Sequence, residues 1–134
     1  MGIVAGGITG AFTGAIVGAV GFALAEAGFG RGFGIFGPSP LVGALSGAIM
    51  VGLAGFAAGA ISGGIGGERK WSCVAGGSVG LLAAIYVFSV HADYFAEYGV
   101  IAFITVLSGS VGASIAGGEL CRHLIYLNKE TWAL

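Results

Sequence analysis

The sequence predicts an all-α integral membrane protein of four transmembrane helices, packed through GxxxG-type glycine zippers, with short loops and a C-terminal amphipathic tail. Three observations predict it. Only 8% of the 134 residues are charged while 57% are hydrophobic, against roughly 25% charged in a soluble domain. Five Lys and Arg with six Asp and Glu cannot cover the surface of a soluble fold of this size. Four uncharged apolar stretches reach or approach the roughly 20 residues that cross a hydrocarbon core. Inside the first two, glycine recurs in steps of four, at Gly6, Gly10, Gly14 and Gly18, then at Gly43, Gly47, Gly55 and Gly59.

The first span covers residues 3–25. It has no basic segment before it and is longer than the roughly 7 to 15 apolar residues of a signal peptide, so it is expected to be retained. In a soluble helix each interior glycine costs roughly 1 kcal/mol relative to alanine. A series of them makes sense where a neighbouring helix must approach closely, as between helices in lipid. A first connection, 26–40, contains Pro38-Ser39-Pro40, and the second span follows at 41–62. Its stripe continues into Gly63-Gly64-Ile65-Gly66-Gly67, expected as a turn within a second connection, 63–70. The third span is 71–90, with a stripe at Gly76, Gly80 and Ala84. A third connection is expected at 91–97, and the fourth span at 98–117 carries Ser108, Gly112 and Ala116. No linker separates domains, so residues 1–118 form one bundle. In the tail, 119–134, Leu120, Leu124 and Leu127 share one helical face. Two structures fit it: a separate amphipathic helix beyond a loosened Gly117-Gly118, lying on the interface or docked on a partner, or a plain extension of the fourth span.

Basic residues set the orientation. Arg69 and Lys70 fall in the second connection and Arg122 and Lys129 in the tail, against Arg31 alone in the first connection. Basic residues in short loops stay on the cytoplasmic side, so both termini are expected inside a bacterial or organelle inner membrane. Aromatic residues support the same boundaries: Phe29, Phe33 and Phe36 with Tyr94, Phe95 and Tyr98 at the outer connections, and Trp71, Tyr126 and Trp132 at the inner face. Residues 10–23 and 43–57 share the order T/S-G-A-I, V-G, G-F-A, which fits either an internal duplication or a small Gly/Ala vocabulary. Thr9, Thr13, Ser46 and Ser62 flank the glycine stripes and are expected to bond back to their own helices rather than across.

The chemistry present is sparse. A net charge of -1 with scattered basic residues gives no footprint for nucleic acid. No ionisable residue occupies a span centre; Glu26 and Glu119 end spans and are expected at the interface. The chain resembles rotary-ring proteolipids in size and glycine stripes, but the mid-helix carboxylate they require is missing. Its four glycine-striped spans are similar in architecture alone to the mitochondrial presequence translocases and the related accessory subunits of respiratory complex I. Either His91 or His123 alone is a weak candidate axial ligand for haem or chlorophyll. Cys73, Cys121 and His123 make at most an incomplete zinc set, and no cofactor or metal is expected. Glycine stripes on all four spans exceed what one small bundle uses internally, so contacts with lipids and with other subunits or copies of the chain are expected. The sequence thus points to a non-catalytic accessory subunit of a larger membrane complex, of the respiratory or photosynthetic kind. The alternative is a homo-oligomeric pore or small transporter.

Overall fold

The computed structural model describes residues 2–29, 39–66, 68–90 and 92–131; side chains at 28–29, 87–88, 90, 92–99 and 128–131 lie outside the description. It is all-helical: α1 Gly2–Phe29, α2 Pro40–Gly64, α3 Arg69–Val90 and α4 Ala92–Thr131. Among the described residues, three segments are long and apolar enough to cross a membrane: Gly2–Ala27, Pro40–Gly64 and Val100–Leu127.

Local chemistry sets the helix ends. Pro40 opens α2 at a position where its missing N–H is no loss, and the carbonyl of extended Ser39 accepts from Gly43 N at 3.1 Å. At the other end the N–H of Ile65 bonds Ile61 O at 3.0 Å. Gly66 then takes φ 84, a left-handed conformation that glycine enters without steric cost and that turns the chain away from α2.

The helices alternate in direction. The start of α1 meets the end of α2 and the late part of α4, because a methyl on Gly2 would lie 2.8 Å from Gly63 O and 2.7 Å from Cys121 Sγ. Further along α1, Gly21 abuts Thr105 of α4, and Phe22 abuts Gly43 of α2. α3 starts beside the end of α2 through Ser72 and Ser62, then rises along α4, where Gly80 lies against Leu107 and Ser110. α1 packs on α2 and α4, α3 packs on α4 and α2, and α1 and α3 share no substantial contact.

The α1–α2 seam is the tightest part. Stepping four residues up α1 and four back along α2, Gly2 faces Gly63, Gly6 faces Gly59, Gly10 faces Gly55, Gly14 faces Val51, Gly18 faces Gly47 and Phe22 faces Gly43. At each level a methyl on the glycine would overlap a backbone carbonyl of the other helix. Val51, where the glycine period of α2 is interrupted, is fully buried. Its side chain fills the space left by Gly18 and by Gly109 of α4, and it joins a small apolar cluster with Phe22, Ala84, Ala102 and Val106. The large residues point the other way: Val4, Ile8, Phe12, Ile16, Val20 and Leu24 on α1, and Leu41, Leu45, Ile49 and Leu53 on α2, are all exposed. Small residues inside and large apolar residues outside invert the pattern of a soluble protein.

Several boundaries differ from expectation. α1 continues through Glu26 to Phe29, and α2 includes Gly63 and Gly64; Gly63 is buried against Gly2, so packing holds it in the helix rather than in the turn. The expected third connection is helical from Ala92. Its polar residues read as a loop, yet 92–97 contain neither Pro nor Gly, and Asp93 lies near a helix start, where the dipole favours a carboxylate. Nor does the fourth span loosen at Gly117-Gly118. α4 is one helix of 40 residues, about 60 Å long. Both glycines are buried, Gly117 against Gly6 and Gly59, so of the two structures that fit the tail the plain extension of α4 is the one present. The remainder of the first connection with Arg31, Phe33 and Phe36, together with Gly67, His91 and Trp132, lies outside the described residues.

The seam predicts a graded cost for added methyl groups. Gly10→Ala or Gly18→Ala should destabilise the chain by about 1–3 kcal/mol, since the nearest obstacle at each is a backbone carbonyl of α2. Gly112→Ala, with nothing within 4 Å, should be neutral or stabilise by up to roughly 1 kcal/mol through helix propensity. Reversible unfolding in mixed micelles measures both; equal tolerance at Gly10 and Gly112 would contradict the seam.

Candidate functional site

The glycines singled out by spacing separate into three groups. Gly6, Gly10, Gly14, Gly18, Gly43, Gly47, Gly55 and Gly59 all lie in the α1–α2 seam. Gly76 and Gly80 face α4, at Val111, Ser110 and Leu107. Gly112 does not pack within the chain, and neither does Gly77. The stripe expected at Ser108, Gly112 and Ala116 is therefore one residue out of phase: Gly109 and Gly117 make the contacts of α4 instead. Gly2 lies one step back along the period of α1 and Gly63 one step on along that of α2, and Gly109, Ala113 and Gly117 form a stripe on α4 as regular as the one at Ser108, Gly112 and Ala116. Among the described residues, most of the striped glycines pack inside the bundle, and Gly77 and Gly112 have open space where a methyl would stand.

Polar groups close the end of the bundle where α1 starts and α2 ends. Ser62 and Ser72 hydroxyls share a buried hydrogen bond of 2.5 Å between α2 and α3. Ser114 Oγ donates to Ala58 O at 3.2 Å, and Cys121 Sγ donates to Gly63 O at 3.3 Å, both joining α4 to α2. Thr13 and Ser46 bond back to Thr9 O and Gly43 O within their own helices, as expected; Ser62 instead bonds across. Exposed Arg69 and Lys70 in the first turn of α3, exposed Arg122 and the backbone of Lys129 all lie at this same end.

Glu26 is placed differently from expectation. It is 1% exposed and lies over Gly43, where a methyl would approach its Cγ to 2.5 Å. The missing side chain at Gly43 makes the niche that holds this carboxyl side chain between the end of α1 and the start of α2. An ionisable group within a membrane segment characteristically faces the bundle interior.

The other candidate ligands do not converge. Cys73 is exposed while Cys121 is buried, and no group of three or more His, Cys, Asp or Glu suited to a metal occurs among the described residues. His123 is exposed on α4. It lines a pocket of about 380 Å³ with Glu119, Arg122 and Tyr126. These four residues share one face of α4 by their helical spacing, and Arg122 Nη1 lies 3.5 Å from Glu119 Oε1. Glu119 is thus half-exposed beside a cation.

Comparison with family models, with characterised proteins and with solved structures finds no match.

The two thiols should differ sharply in reactivity. Cys73 is expected to react with a membrane-permeant maleimide in the folded chain, and Cys121 only after unfolding, with peptide mass spectrometry as readout. Rapid labelling of Cys121 in the folded chain would contradict the packing of α4 on Gly63.

Proposed function

We propose that the chain is a four-span membrane protein, with α3 as the third span, that serves as a non-catalytic accessory subunit of a larger integral-membrane assembly of the respiratory or photosynthetic kind. The observation that carries this is the inverted distribution of side-chain size. Glycine seals the inside by backbone contact, leaving no lumen between α1 and α2, while large apolar side chains cover the outer faces of those helices for lipid or for neighbouring subunits. In lipid there is no hydrophobic drive to bring helices together, so close glycine contact, the glycine-zipper mode, provides the association. The result is a stiff scaffold rather than a catalytic cavity. The basic end, with Arg69, Lys70, Arg122 and Lys129, faces the cytoplasm or its organelle equivalent.

Buried Glu26 favours a second reading, a small transporter or homo-oligomeric pore in which this carboxyl group contributes to a path. Because the seam inside one chain is shut, such a path runs along its margin or between copies. Purification in mild detergent separates the two readings. The subunit reading expects heterologous membrane partners at fixed stoichiometry, and Glu26→Gln that still assembles with them. A ring of identical chains that conducts ions in liposomes, with conductance lost in Glu26→Gln, would replace it.

Orientation has its own test. A cysteine substituted for Lys70 is expected to label from the cytoplasmic side only, and one substituted for Asp93 from the opposite side only. Labelling of both from one side would overturn the four-span topology.

A further inference from the structure

The geometry points to the pocket at Glu119, Arg122, His123 and Tyr126 as a binding site for the headgroup of a zwitterionic phospholipid carrying a primary ammonium, of the phosphoethanolamine type. The inference rests on the reading of the chain as membrane-spanning and goes beyond it by naming a ligand and its contacts.

Depth is the first support. Cys121 is level with Gly2 at the start of α1 and Gly63 at the end of α2, so residues 119–126 straddle the plane where the other two apolar helices stop. Position 126 lies about 7.5 Å beyond Cys121 along the helix axis, comparable with the roughly 5–7.5 Å of headgroup layer on each side of a hydrocarbon core. Above the pocket, α4 carries a strip of small residues at exposed Ser108 and half-buried Gly112 and Ala116, where a methyl on Gly112 would meet nothing within 4 Å; acyl chains can lie along it.

Charge complementarity selects the headgroup. One acid and one base occupy a single pocket of about 380 Å³, their nearest atoms 3.5 Å apart. A guanidinium carries five N–H donors, so Arg122 can hold a phosphate oxygen while its side chain remains beside Glu119. Tyr126 adds a hydroxyl donor, and His123 a ring N–H, on the same face. Glu119 accepts from the ammonium at the far end of the headgroup. A phosphoglycerol headgroup brings no cation for Glu119, and a phosphocholine headgroup brings a quaternary nitrogen with no N–H to donate.

The test uses the full chain reconstituted in phosphatidylcholine vesicles doped with equal phosphatidylethanolamine and phosphatidylglycerol, extracted gently, with retained lipids identified by native mass spectrometry. Phosphatidylethanolamine is expected to be enriched about tenfold over either competitor, the scale of one charge-assisted hydrogen bond. Arg122→Gln should remove retention of all phospholipid, and Glu119→Gln should shift the preference to phosphatidylglycerol. Both side chains are about half-exposed, so circular dichroism should show each variant folded. Equal retention of the three lipids, preference for phosphatidylglycerol by the unmodified chain, or a pocket covered by a copurifying protein that excludes lipid would each overturn the proposal. Flotation with vesicles after carbonate extraction tests the membrane reading separately: a chain that floats without headgroup preference overturns the headgroup site alone, and a chain that is extracted overturns both.

Discussion

The structure depends on the absence of side chains between α1 and α2. Within lipid, an apolar side chain gains nothing by exchanging an acyl chain for a neighbouring helix, so attraction must come from atoms brought to van der Waals distance. Glycine at five levels of α1 and at four of the five facing levels of α2 allows this. A single methyl at most of these levels would strike a carbonyl oxygen rather than a side chain that can rotate away. The same requirement explains Val51, the one large residue on the α2 side of the seam, which is accommodated because Gly18 and Gly109 leave room for it.

From that seam the remaining arrangement follows in order. With α1 and α2 in contact, α4 docks against both, using Gly109 and Gly117 where Val51, Gly6 and Gly59 approach. α3 is then held on α4 through Gly76 and Gly80 and pinned at one end by the hydrogen bond between Ser62 and Ser72. Buried polar groups inside lipid lack water as a partner, and Ser114 and Cys121 use carbonyls of α2 for that purpose. The two ends of the bundle consequently differ in character. One gathers hydroxyl, thiol and basic groups, and the other buries the carboxyl side chain of Glu26 over Gly43.

The all-helical class and the faces of α1 and α2 were legible in the sequence because glycine at every fourth position has one geometric meaning in an apolar helix. The partner of each glycine was not legible, since spacing within a helix says nothing of register between helices. On α4 two small-residue stripes of equal period lie side by side, Ser108, Gly112 and Ala116 and Gly109, Ala113 and Gly117; which of them packs is decided by where Val51 and Gly6 project, which is tertiary information. Helix ends were misplaced for a related reason. Gly63 and Gly117 are turn formers by propensity, but a neighbouring backbone fixes each in helix. Glu26 was assigned to the interface by its position near the end of an apolar run; its burial depends on the vacancy at Gly43, seventeen residues away in sequence.

The central claim, that α1 and α2 touch backbone to backbone in one antiparallel register, is tested most directly by magic-angle-spinning NMR of the chain labelled with ¹³C at glycine and reconstituted in lipid. Cross-peaks should connect Gly6 with Gly59, Gly10 with Gly55, and Gly18 with Gly47, with none from any of these to Gly77 or Gly112. Strong peaks within each helix with none of those three pairs would contradict the account.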